Sequence, residues 1–271
     1  LLAAAVDRAA PRDRAAALRA MALAARTRMK VLPARWTAPL LGALASADDD
    51  LIAEVFSVLR AAPAPAESAA ALHAALMRLG RDGARTIDVR VEALASMSDG
   101  PAVVDPDTFE LLRTGLEPAQ AVSTRSAAAR VLAKAGLGAA QLLALARALP
   151  MAGPLELPHL LLAFGKSDDE GVGLAMIAAL RQREGRSSVR ADLLRPVLAK
   201  YPASVQSAGH ALFASSSVEA PDQARRLATL LAAAGGGDVR RGQGVFNSPK
   251  AACYSCHAIG YMGGRLGPDL T

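Results

Sequence analysis

The chain has 271 residues, 52% of them hydrophobic and only 3% aromatic, a composition that favours helices packed through small side chains and disfavours sheets rich in aromatic and β-branched residues. Its formal charge of +6 comes from 31 basic and 25 acidic residues with no block of like charge. That is the pattern of a solvated surface; a nucleic-acid footprint would want a basic stripe interleaved with aromatics.

Leu1 to Lys30 reads as a helical stretch with scattered arginines, lacking the compact apolar core and cleavage site of a signal peptide. No initiator Met opens it, so the sequence is expected to be a piece of a longer chain. No run of about twenty apolar residues is free of charge or proline, so no transmembrane span is expected.

Pairs of buried-type residues three apart then recur along the chain: Leu18 with Met21, Phe56 with Leu59, Leu94 with Met97, Ala129 with Leu132, Ile177 with Leu180, and His210 with Phe213. Residues three apart share one face of a helix, so each pair predicts an inner helix buried against its neighbours. The steps between pairs are 38, 38, 35, 48 and 33 residues. Further helices are predicted between them, over 39–46, 68–79, 107–116, 139–149, 155–164 and 192–201. They are separated by Pro63 and Pro65, Gly80 and Gly83, Gly100 and Pro101, Gly136 and Gly138, Gly153 and Pro154, and Pro202.

Two helices in each unit of roughly 35 to 45 residues predict an all-α solenoid of the HEAT or armadillo kind. The phrase from Asp88 to Leu94 resembles HEAT repeats. The 48-residue step is the irregular one and leaves room for an extra helix. A compact helical bundle with chance spacing is the plain alternative. His73, His159 and His210 stand singly and far apart, and are read as surface or packed residues.

From Gly235 the character changes. Gly235, Gly236 and Gly237 make a flexible joint, and Asp238 is placed to cap a helix running toward Phe246. The boundary is therefore set between a helical repeat domain, residues 1–234, and a second domain, residues 235–271. Both cysteines of the chain then fall in one motif, Cys253-Tyr254-Ser255-Cys256-His257.

On the first turn of a helix, cysteines three apart face one side and can form thioethers along one edge of a porphyrin, while the following His offers a neutral imidazole to iron from below. Three other readings compete. A thioredoxin-like dithiol would want a βαβ setting; zinc would want a fourth ligand beside two thiolates and His257; a structural disulfide would give no reason for the His.

The flanks favour haem. Gly237 to Phe246 resembles the amino-terminal helix of class I c-type cytochromes, and Gly267-Pro268-Asp269-Leu270 resembles that family's Gly-Pro-x-Leu loop. The resemblance implies that Cys253 and Cys256 hold haem c covalently and that His257 ligates the iron. It also implies that the Pro268 carbonyl accepts a hydrogen bond from His257 Nδ1, fixing its tautomer. Met262, five residues past His257, is expected to be packed or exposed; a distal ligand is expected only beyond Thr271.

Taken whole, the chain is similar to the large haem-binding C-x-x-C-H proteins of planctomycetes and related bacteria, in which a sugar-dehydrogenase-like β-propeller precedes HEAT-like repeats and a cytochrome c domain. The stretch from Gln141 to Phe164 looks like that family's irregular repeat. The fold expected is thus a HEAT- or armadillo-like α-solenoid followed by the truncated start of a cytochrome c domain.

Three functions follow. One is electron transfer through a c-type haem on a helical scaffold, with an upstream dehydrogenase domain or a redox partner protein supplying electrons. Haem attachment of this kind implies a periplasmic or otherwise exported location. The second is an interaction scaffold whose haem segment is incidental or unoccupied. The third, a haem enzyme such as a peroxidase, would need distal acid and base groups. This segment itself is not expected to be catalytic. Arg240, Arg241, Lys250 and Arg265 are read first as solvated charges; on the haem reading they would steer an acidic partner.

Overall fold

The computed structural model describes residues 2–3, 6, 11–98, 100–101, 104–182, 191–217, 220–248, 251, 253–255, 257–260, 262–264 and 269–271. The chain divides into two compact units, Leu1–Ala214 and Ser215–Thr271. The joint read at Gly235 therefore has twenty or so residues on its amino-terminal side that group with the second unit.

The first unit is built of helices α1 (Pro11–Arg28), α2 (Thr37–Leu44), α3 (Asp49–Ala61), α4 (Ala66–Arg81), α5 (Ile87–Ala95), α6 (Pro106–Gly115), α7 (Val122–Lys134), α8 (Ala139–Ala146), α9 (Leu157–Phe164), α10 (Glu170–Arg181), α11 (Ala191–Leu198) and α12 (Ala203–Ser217), the last reaching past its boundary. Carboxylates set several starts. Asp48 Oδ1 accepts the N–H groups of Asp50 and Leu51 at 3.0 and 3.2 Å, Asp105 Oδ1 that of Thr108 at 2.8 Å, and Asp169 Oδ1 that of Val172 at 2.9 Å. Each satisfies donors that a helix otherwise leaves open, and each adds negative charge at the positive end of the helix dipole. Pro106 follows its cap at the first helical position, where no N–H is needed.

These helices stack in two rows. In the first, α1 packs on α3, α3 on α5, α5 on α7, α7 on α9, and α9 on α11. In the second, α2 packs on α4 and α8 on α10, and α10 meets α12, where Arg181 Nη2 donates to the Ala208 carbonyl at 3.2 Å. Between the rows lies one continuous core that includes Leu18, Ile52, Leu94, Leu112, Leu132, Leu145, Leu160 and Phe164, all under 2% exposed. Burying each such side chain contributes about 1.5–3 kcal/mol, so the interior carries most of the stability.

Side-chain bonds between rungs repeat the period. Arg60 Nη1 reaches Glu92 at 2.7 Å, Lys134 Nζ the Ser98 carbonyl at 2.8 Å, Gln141 Nε2 the Val104 carbonyl at 3.0 Å, and Tyr201 Oη the Phe164 carbonyl at 2.7 Å. The partners stand 32, 36, 37 and 37 residues apart. Thr124 bonds Asp88 in the same way, 36 residues back. A solenoid makes its contacts with the next rung, and these spacings are the length of one rung.

Two spacings depart from the period. The 48-residue step holds the expected extra helix, since α8 and α9 both lie between α7 and α10. Leu161 on α9, 32 residues after Ala129, continues the first row, and Ile177 belongs to α10 in the second. The spacing lengthens because the pattern passes from one row to the other. The pair His210 and Phe213 is also out of register by one: His210 is exposed, while Val205, Gly209 and Leu212 face inward. Gly209 is buried because the Leu198 side chain fills the space its own Cβ would take, and a glycine carries no hydrophobic signal to reveal this.

The second unit, taken by itself, contains α13 (Ala220–Ala234), α14 (Val239–Phe246), a 3-10 turn at Cys253–Ser255, and strands β1 (Ala258–Ile259) and β2 (Met262–Gly263). Asp238 caps α14, its Oδ1 accepting Arg241 N–H at 2.9 Å, as its position before the helix predicts. The strands pair antiparallel, Ala258 with Gly263 and Ile259 with Met262. This hairpin is a small departure from an otherwise all-α chain. Among the described residues no helix is long and apolar enough to cross a membrane.

Candidate functional site

The site is built on one turn of chain. The 3-10 segment starts at Cys253, and His257 N–H donates to the Cys253 carbonyl at 3.0 Å. A bond from residue 257 back to residue 253 closes a helical turn, which brings the two residues to the same side. Both are half-buried. Cys253 is a free thiol whose Sγ lies 3.7 Å from the Ala251 carbonyl, a weak contact at most. Cys256 and Pro268, the other two residues expected here, lie outside the described residues, as do Lys250 and Arg265.

The chain beyond His257 folds back over this turn. Gly264 N–H donates to the Tyr254 carbonyl at 2.6 Å, and Leu270 N–H to the Ala258 carbonyl at 2.9 Å. Gly260 N–H bonds Thr271 Oγ1 at 2.7 Å, and Asp269 Oδ1 accepts the Thr271 N–H at 2.9 Å. The described segment thus holds its shape chiefly by backbone bonds. Tyr254, Ile259, Met262 and Leu270 are 43 to 72% exposed. Met262, the most exposed of the four, stands in solvent, one of the two states expected for it.

Of the residues expected to hold a c-type haem, Cys253 and His257 are the two described. The free thiol and the imidazole carrier share a turn, and the same segment offers large apolar side chains that a flat macrocycle would cover. Among the described residues no cluster of three or more His, Cys, Asp or Glu could hold a bare metal ion. Arg240 and Arg241 are exposed on α14.

The first unit has its own polar features. Glu156 is buried, 2% exposed at its side chain, and its Oε1 accepts Arg125 Nε at 3.2 Å while Oε2 has no hydrogen-bond partner among the described residues. Arg125 Nη1 also donates to the Gln120 carbonyl at 2.8 Å. Sequence patterning does not reveal this pair, since Glu156 lies in the Gly153-Pro154 irregularity; only the packing of Gly153 against the carboxylate does. His159 is half-buried, and burial, helped by the charge of Arg130, lowers its pKa from 6.5. His73 is exposed. An open groove between α6 and α8 is lined by Phe109, Arg113, Leu116, Ala144, Arg147 and Met151.

The stacked rows define the class: an all-α helical-repeat solenoid. The fold is similar to those of two solved structures. One is an engineered protein determined by the Northeast Structural Genomics Consortium, 19% identical, with a TM-score of 0.54 over 76% of this chain and 96% of that one. The other is a designed armadillo repeat protein, 15% identical, with a TM-score of 0.50 over 73% of this chain and 96% of that one. Likeness at these identities shows the fold alone. No protein-family model matches the chain, and no curated protein matches it.

Proposed function

We propose that this chain is a helical-repeat scaffold for protein contacts that also carries a c-type haem on the turn from Cys253 to His257, through which single electrons pass. The scaffold role is the better supported, by the two rows and their rung-to-rung bonds. One observation supports the haem role: His257 N–H closes on the Cys253 carbonyl, so the two residues share one turn.

On this reading Cys253 and Cys256 tether the ring, His257 ligates iron, and the Pro268 carbonyl orients the imidazole. The bound group supplies a reversible one-electron change at iron. The chain's own residues hold it with an edge exposed, and Arg240 and Arg241, exposed on α14, favour an acidic redox partner. A covalent c haem places the protein in the periplasm or another exported compartment. An upstream dehydrogenase domain or a separate redox protein would be the electron source.

The test is a pyridine haemochrome spectrum of the chain made together with cytochrome c maturation proteins. Wild type should show the α-band of a c-type haem, and the chain carrying both Cys253→Ala and Cys256→Ala should lose it. Without that band in wild type, the second reading stands, an interaction scaffold alone. The repeat fold, similar to that of a designed armadillo repeat protein, and the open groove between α6 and α8 favour that reading.

A further inference from the structure

Gly263 has φ +118°, a conformation that L side chains rarely adopt. It lies opposite Ala258 in the hairpin that directly follows His257. A Cβ at position 263 would be driven into the His257 carbonyl oxygen, and would lie 2.9 Å from Ala258 Cα and 3.0 Å from the His257 carbonyl carbon. These are well inside the separation at which carbon atoms attract. All three atoms are backbone, so no side chain can turn aside to make room.

The surrounding bonds leave little slack. The next residue, Gly264, is tied to the Tyr254 carbonyl, and Leu270 is tied to the Ala258 carbonyl. A displacement at residue 263 is therefore passed to the turn that carries Cys253 and His257. Gly260, in the same hairpin, provides the contrast. Its φ is also positive, at +62°, but a Cβ there meets nothing within 4 Å among the described residues. A side chain at 260 strains its own backbone and leaves His257 alone.

We propose that Gly263 is a positioning residue for His257: its missing side chain lets the hairpin close on the His257 carbonyl and so sets the direction in which the imidazole is presented. The inference rests on the haem reading.

The experiment uses the whole chain matured with haem, as wild type, Gly263→Ala and Gly260→Ala. Haem per polypeptide is measured, and the iron–imidazole stretch is read by resonance Raman, with helical circular dichroism to show that the repeats are folded. Strain at one such backbone position shifts an equilibrium by about tenfold or more. G263A should therefore hold the His257–iron bond in about a tenfold smaller fraction of molecules, while G260A stays within about twofold of wild type. A G263A chain that loads no haem beside a normal G260A supports the proposal equally. If the two variants behave alike, whether both intact or both impaired, the proposal is overturned. A wild-type chain without haem sinks the haem reading and this inference with it; a loaded wild type beside an unchanged G263A sinks this inference alone.

Discussion

Arg125 on α7 and Glu156 at the start of α9 form a salt bridge, Nε to Oε1 at 3.2 Å, across two rungs of the first row, with the carboxylate 2% exposed. The carboxylate is out of water and its second oxygen has no hydrogen-bond partner among the described residues, so the guanidinium is its main compensation. Removing one member of a buried pair costs about 3–5 kcal/mol, because the other is left charged and unpaired. Arg125→Ala is expected to lower unfolding free energy by that amount in a urea titration. Joint replacement, Arg125→Met with Glu156→Leu, should recover most of the loss.

Tyr201 reaches back to the Phe164 carbonyl at the end of α9, 37 residues earlier, at 2.7 Å. The hydroxyl is buried, and burial raises its pKa from 10.0, which keeps it a donor at neutral pH. Tyr201→Phe keeps the ring and removes only that donor. The carbonyl is then left without this partner, and thermal or urea unfolding should report a loss of about 1–2 kcal/mol.

His159 gives a pH signature. Its pKa in the fold lies below 6.5 because burial, and then the Arg130 charge, disfavour the imidazolium. A depressed base binds fewer protons when folded than when unfolded, so its contribution is complete above about pH 6.5 and is lost as pH falls through the folded value. Melting temperature of the wild type should fall on going from pH 7 to 5, and His159→Gln should flatten that fall. The carboxylates whose values are lowered, Asp105 beside Thr108 and Arg81, and Glu110 beside Arg113, act in the acid range below their ordinary 3.8 and 4.5, outside this window.

A buried glycine marks a tight contact between α11 and α12. Gly209→Ala would set a methyl against the Leu198 side chain, and overpacking of this kind costs about 1–3 kcal/mol. The combination with Leu198→Ala should lose less than the sum of the two single changes, since the second removes the obstacle.

The helices themselves were legible because their apolar residues recur at helical spacing and their ends carry Asp, Pro and Gly. Ser68–Leu79 became Ala66–Arg81, and Asp107–Leu116 became Pro106–Gly115, differences of a residue or two. Which row a helix joins was not legible. Leu161 and Ile177 look alike in the sequence, and only packing assigns one to α9's row and the other to α10's. The Gly209 register was hidden because shape, and not hydrophobicity, puts that residue inside. At the candidate site, Cys253 and His257 stood out through residue type and spacing. Gly263 did not, since its role depends on a backbone angle and on a carbonyl six residues earlier.

The most direct measurement of haem attachment is the intact mass of the chain made with and without cytochrome c maturation proteins, taken under denaturing conditions. A gain of one haem is expected on the matured chain, stable to denaturant, and no gain when Cys253 and Cys256 are both alanine. An unchanged mass on matured wild-type chain would contradict the electron-carrier role, leaving a helical-repeat scaffold without a redox centre.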